Sequence, residues 1–134
     1  MANPRYLTSD GTAQVELLKK LSMAKAVYYG QLRKFCKKHC ISAKELSAVE
    51  RVFLIGSHAE EKGWSNDTSD LDLKLINSTA IPENLWRYKR EVLDPTLCDR
   101  DKDKKYWIDL YFAREDYQVL NPKWDLTRYW GQDI

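Results

Sequence analysis

The chain has 134 residues, 43% of them hydrophobic and 31% charged, with 22 basic against 20 acidic side chains. That length suits one domain with a real core, and the composition excludes a disordered chain. The net charge of +2 gives no electrostatic case for nucleic acid, and no run of about 18 apolar residues is present to span a bilayer.

The opening MANPRYLTSDG has no apolar stretch of the signal-peptide kind. Three cysteines, an odd number without framework spacing, fit a reducing cytoplasm. After Ser9-Asp10-Gly11, the positions Leu17, Leu21, Ala24, Tyr28, Leu32 and Phe35 recur every three or four residues. They predict one long helix with a single apolar face. Lys19, Lys20, Lys25, Arg33 and Lys34 lie off that face and read as solvated. Ser42 with Glu45 fits a capping box and predicts a short helix over 43–48. Val52-Phe53-Leu54-Ile55 reads as a strand buried on both faces, ending at Gly56-Ser57. A short helix over 57–62 would stop at Gly63, followed by a polar loop.

The run 71–76, LDLKLI, alternates with period two and predicts a second strand. Pro82, with Ser78 or Thr79 as a cap, opens a helix that should stop before Asp94-Pro95. A charged turn at 102–105 precedes the third strand, YWIDLYF, over 106–112. The order of helices and strands predicts an α/β (α+β) chain with a small mixed sheet of three or more strands flanked by helices. One domain covers 1–134, with its core in 12–113 and an aromatic-rich tail in 114–134.

Three acids break this apolar pattern. Leu71, Leu73 and Leu75 share one strand face, so Asp70, Asp72 and Lys74 share the other. Asp109 repeats the anomaly on the third strand, opposite Ile108 and Leu110. If the two strands are neighbours, the carboxylates meet on one patch, where hard oxygen donors suit Mg²⁺ or Mn²⁺. Gly56-Ser57, placed between a buried strand and a helix, lets a phosphate approach free backbone N–H groups.

A buried strand, Gly56-Ser57, a spacer, Asp70-x-Asp72 and a later Asp109 together resemble the polymerase-β-like nucleotidyltransferase superfamily over 52–112. The small size is most similar to its minimal nucleotidyltransferase group, single-domain proteins often paired with a helical HEPN-type partner. The resemblance implies a nucleotidyltransferase fold and Mg²⁺-dependent transfer of an NMP, AMP being expected, from an NTP to an acceptor hydroxyl with release of pyrophosphate. It implies Asp70, Asp72 and Asp109 as metal ligands and catalytic acids, and Gly56 and Ser57 as triphosphate contacts. It also implies a partner protein as acceptor, with an antitoxin role within reach. Ala59 and Ser69 match the group's loop, and Ser69 joins the nucleotide-binding set. Glu60 replaces the expected arginine, Gly63 arrives two residues late, and Lys62 is the candidate replacement cation.

Blander readings stand beside these. The acids could be solvated or paired with Lys74, and the fold could bind a nucleotide or a partner, or another copy of itself, without catalysis. A small-molecule nucleotidyltransferase of the antibiotic-modifying kind is a third reading. His58 reads as a solvated helix residue, and Cys36-x-x-His39-Cys40 as helix packing before zinc. Trp124 and Trp130 are expected to pack on the sheet.

Overall fold

Leu17, Leu21, Ala24, Tyr28, Leu32 and Phe35 are all buried, and with Cys36 they form the inner stripe of α1 (Val15–His39). The computed structural model describes residues 2–59, 69–114 and 124–131. Helix α1 ends where Cys40 adopts a left-handed conformation (φ 56°), and its N–H donates to the Cys36 carbonyl. The cysteines near this end therefore serve packing and termination: Cys36 is buried and Cys40 exposed. His39 meets Glu91 at 2.8 Å.

Next come α2 (Ala43–Ser47) and the three strands, β1 (Arg51–Ile55), β2 (Leu71–Ile76) and β3 (Ile108–Ala113), which form a mixed α+β sheet in the order β1-β2-β3. Strands β1 and β2 are antiparallel, pairing Leu54 with Leu73 and Ile55 with Asp72. Strands β2 and β3 are parallel, pairing Asp72 with Asp109 and Leu73 with Leu110. Parallel neighbours require a crossover connection. Here α3 (Pro82–Tyr88), a π-turn over Lys89–Leu93 and α4 (Asp94–Leu97) supply it. Leu71, Leu73 and Leu75 are fully buried and share one hydrophobic cluster with the α1 stripe, so the acids are left on the opposite face.

Four expectations shift. Ser42 precedes α2 without a side-chain cap. Glu45 instead accepts from Ile81 N–H at 2.8 Å and the Asn84 amide at 3.0 Å, which ties α2 to α3 rather than closing a capping box. Neither Ser78 nor Thr79 caps α3; Ile81 holds that position, and Ser78 bonds Glu50. The helical path also runs through Asp94-Pro95 to Leu97. Proline clashes with the carbonyl four residues back in a regular helix, and the preceding π-turn, with Asp94 N–H donating to Lys89 O, widens the coil at that point. Strand β3 begins two residues later than expected, because Tyr106 ends a 3₁₀ turn (Lys104–Tyr106). Trp107 is turned aside, its indole donating to the carbonyls of Asp99 and Lys102.

The tail closes the core. Leu126 N–H donates to Val52 O at 2.7 Å, Val52 N–H donates to Thr127 Oγ1 at 3.0 Å, and Arg51 pairs with Asp125 at 3.1 Å. These bonds cover the free edge of β1, which an open strand would otherwise expose. Helix α5 (Thr127–Trp130) then delivers Trp130, 2% exposed, edge-on to Tyr28, and its indole donates to the Tyr29 hydroxyl at 3.0 Å. Replacing Trp130 by alanine should cost about 3–5 kcal/mol, the usual loss for a large buried aromatic. A urea midpoint unchanged from wild type would refute that role for the tail.

Candidate metal centre

Because β2 and β3 are parallel and in register, Asp72 and Asp109 sit side by side, and Asp70 enters from the residue just before β2. Each of the three offers a carboxylate oxygen, and these atoms lie within 4.8 Å of one another. The expected convergence of the acids is therefore present. Lys74, which shares their strand face, makes no ion pair among the described residues.

Gly56 sits directly against this group. Its φ is +75°, and a Cβ there would lie 2.3 Å from Asp72 Oδ2. The glycine thus serves the carboxylate twice, by taking a left-handed turn and by leaving the volume the carboxylate fills. The half-buried Ser57 opens a 3₁₀ turn, Ser57–Ala59, and the rest of the helix expected over 57–62 lies outside the described residues. Ser69 lies beside Asp70, and its carbonyl faces His58 Nε2 at 3.3 Å. Lys62 and Gly63, in the altered loop, fall outside the described residues.

Burial pushes the Asp72 carboxyl up to about 7, and the charge of Asp70, its hydrogen bond and the charge of Asp109 add to the effect, with Lys104 opposing. Asp72 Oδ1 is buried without a hydrogen-bond partner among the described residues. A buried acceptor left unpaired costs about 1–3 kcal/mol. An orphaned oxygen, three hard donors and a space kept clear by Gly56 together fit a divalent cation of the Mg²⁺ or Mn²⁺ kind.

Sequence reasoning missed three contributors. Lys89, 7% exposed, points its ammonium at Asp109, at Asp94 (3.1 Å) and at the Leu110 carbonyl (2.8 Å). Burial pulls the ammonium down, but the bond to Asp109 and its charge, followed by those of Asp94, outweigh it and raise the pKa overall. A readable signal exists: Lys89 stands four residues from both Leu85 and Leu93, inside the apolar stripe of its helix. π-turns recur at functional sites, and this one begins at Lys89. Asp94, Cys98 and Asp109 also cluster, but Lys89 already answers both carboxylates. Burial and the same acids raise the Cys98 thiol to about 12, and it donates to Ile108 O at 3.2 Å.

The second missed residue is His58, buried rather than solvated. The Asn3 side-chain oxygen accepts from Arg5 N–H, so its amide nitrogen faces His58 Nδ1 at 3.1 Å. Nδ1 must then accept, and Nε2–H donates to Ser69 O. His58 thereby fastens the N-terminal segment to the entry of Asp70. No sequence period marks it, because its partners lie 55 and 11 residues away. The third is Lys104, whose charge reaches Asp72 from a segment that reads as a solvated turn.

No protein-family model matches the chain, and comparisons with curated proteins and with solved structures also give no match.

Two measurements follow from this electrostatics. An unfolded aspartate titrates near 3.8, whereas folded Asp72 titrates near 7. Between those values the folded state binds the extra proton, so metal-free stability falls as pH rises from about 4 to about 7 and then levels off. Melts in EDTA should show this fall, and Asp72→Asn should flatten it; an identical slope in the variant would exclude Asp72 as its source. Mg²⁺ should raise the wild-type melting temperature at pH 8 and leave that of Asp72→Asn nearly unchanged.

Lys89→Met should cost about 3 kcal/mol by stranding the Asp109 charge. Adding Asp109→Asn should recover part of that loss in a double-mutant cycle, since no unpaired charge then remains. Strict additivity of the two losses would argue against the pair.

Proposed function

We propose that the chain is a metal-dependent nucleotidyltransferase that moves an NMP, AMP in the first instance, from an NTP to an acceptor hydroxyl. The observation carrying this reading is the convergence of Asp70, Asp72 and Asp109 against the Cβ-free backbone of Gly56. Asp70 and Asp72, with Asp109, would hold Mg²⁺ or Mn²⁺. When bound, such ions neutralise charge on phosphate oxygens and lower the barrier to in-line displacement.

The chain's own groups have distinct tasks. Gly56 lets a phosphate come close to the backbone, and the Ser57 hydroxyl offers a donor to it. Lys89 occupies one oxygen of Asp109 and fixes its orientation. Asp109, as one of the proposed metal ligands, would also orient the acceptor hydroxyl or take its proton as the new O–P bond forms and pyrophosphate departs. A partner protein of the HEPN type is the proposed acceptor. A cytoplasmic setting and a place in a toxin–antitoxin pair belong to the same proposal. Among the described residues no helix is long and apolar enough to cross a membrane.

The hold of Lys89 on Asp109 also favours a second reading, a module that binds nucleotide without turning it over. Pyrophosphate release from ATP, measured with Mg²⁺ and the candidate partner, separates the two. Asp70→Asn and Asp72→Asn should each cut the rate on the order of 10³. A wild-type chain that binds ATP yet releases nothing with its partner present would leave only the binding module.

A further inference from the structure

The other face of the Asp70 entry opens into a cleft of about 400 Å³ between the N-terminal segment, α1 and the 3₁₀ turn at Lys104–Tyr106. Among the described residues, Arg5, Lys19, Lys20 and Lys105 line it against one carboxylate, Glu16. Glu16 pairs with Arg5 at 2.5 Å, which leaves a surplus of lysines. Lys20 is half-buried, not solvated as its place off the apolar stripe of α1 implies. An ammonium carries three donors; among the described residues the Lys105 carbonyl takes one, at 3.3 Å. Burial first, and then the charge of Arg5, lowers the Lys20 pKa, with Glu16 opposing. Like charges gathered in a concave, partly dry place favour an anion there.

The cleft touches the acid centre. Ser69 and His58 form part of its wall, and Asp70 follows Ser69 directly. The same short turn sends Lys105 into the cleft and sets the charge of Lys104 on Asp72. A second hollow of about 420 Å³ shares Lys20 and Tyr106 with the first. Beyond those two it is lined by Met23, Ile108 and Lys102, with Met23 56% and Tyr106 60% exposed, so one further cation stands in a mainly apolar wall. A cationic half joined to an apolar half bearing an exposed ring has the chemistry of a nucleotide: phosphate at one end and a flat base at the other.

We propose that these joined hollows form a nucleotide site, with phosphate held by Lys20 and Lys105 and the base resting on Met23 and Tyr106. The site lies outside the Gly56-Ser57 and aspartate set. The nucleotidyltransferase reading supplies the reason for a nucleotide beside those acids, while the test reads binding alone. The nucleotide is either the NTP donor or a nucleotide on the acceptor side.

Calorimetry in EDTA, with ATP and tripolyphosphate as probes, tests the site without the metal. Wild type should bind both. Lys20→Gln and the exposed Lys105→Gln should each weaken both by about tenfold, the scale of one charge-assisted hydrogen bond. Met23→Gln should weaken ATP alone. Asp70→Asn and Asp72→Asn should retain binding, with circular dichroism confirming the fold of every variant. Failure of wild type to bind ATP in EDTA overturns the site, as does ATP binding indifferent to both lysine variants or lost in the aspartate variants. ATP binding that persists where pyrophosphate release is absent sinks the transferase reading and leaves this site standing. AMP titrated into protein saturated with Mg·ATP assigns the source: exclusion of AMP places the donor in the cleft, and binding alongside places a second nucleotide there.

Discussion

Three carboxylates held within 4.8 Å of one another at the β2–β3 junction are the constraint around which the rest of the structure is arranged. Their mutual repulsion, in a place where water is partly excluded, is unfavourable unless cations are brought to them. The fold brings cations from two directions. Lys89 reaches in from the crossover helix and takes one oxygen of Asp109, and Lys104 approaches Asp72 from the turn before β3. The remaining deficit falls on Asp72, whose raised pKa and unpaired oxygen record it. A bound divalent ion would relieve the same deficit.

Several features otherwise lacking a motive follow from that constraint. The left-handed Gly56 gives Asp72 its room. The π-turn begins at the lysine that answers Asp109 and widens the coil ahead of Pro95. The crossover is long enough to make β3 parallel to β2, and only that direction sets Asp109 beside Asp72 in this register. The tail, by covering the β1 edge and burying Trp130, completes the core on which the sheet rests.

The charges are segregated over a short distance. Acids occupy one side of the Asp70 entry, lysines line the other, and Ser69 and His58 form the partition. Carboxylates suit metal ions, while ammonium groups draw a polyanion. A net charge of +2 hides this separation completely.

Much of the fold was legible in the residues themselves. The α1 stripe, the bounds of β2 and the outward set of Asp70, Asp72 and Asp109 follow from periods of 3.6 and 2, which are local properties of the backbone. A period also places a side chain on a face, so acids in an apolar strand announce a site before any contact is known. What periodicity cannot supply is the partner across the fold. That Asp109 lies beside Asp72, that Lys89 rather than Lys74 answers it, and that Glu45 ties α2 to α3 were decided by packing between segments 20 to 39 residues apart. The same holds for Lys20 and Lys105, 85 residues apart, which read as two solvated lysines until the chain folds them into one cleft. The sequence determined that Asp70, Asp72 and Asp109 share an outward face; only the tertiary structure decided which groups meet them, because electrostatic partners are chosen by distance in space and not along the chain.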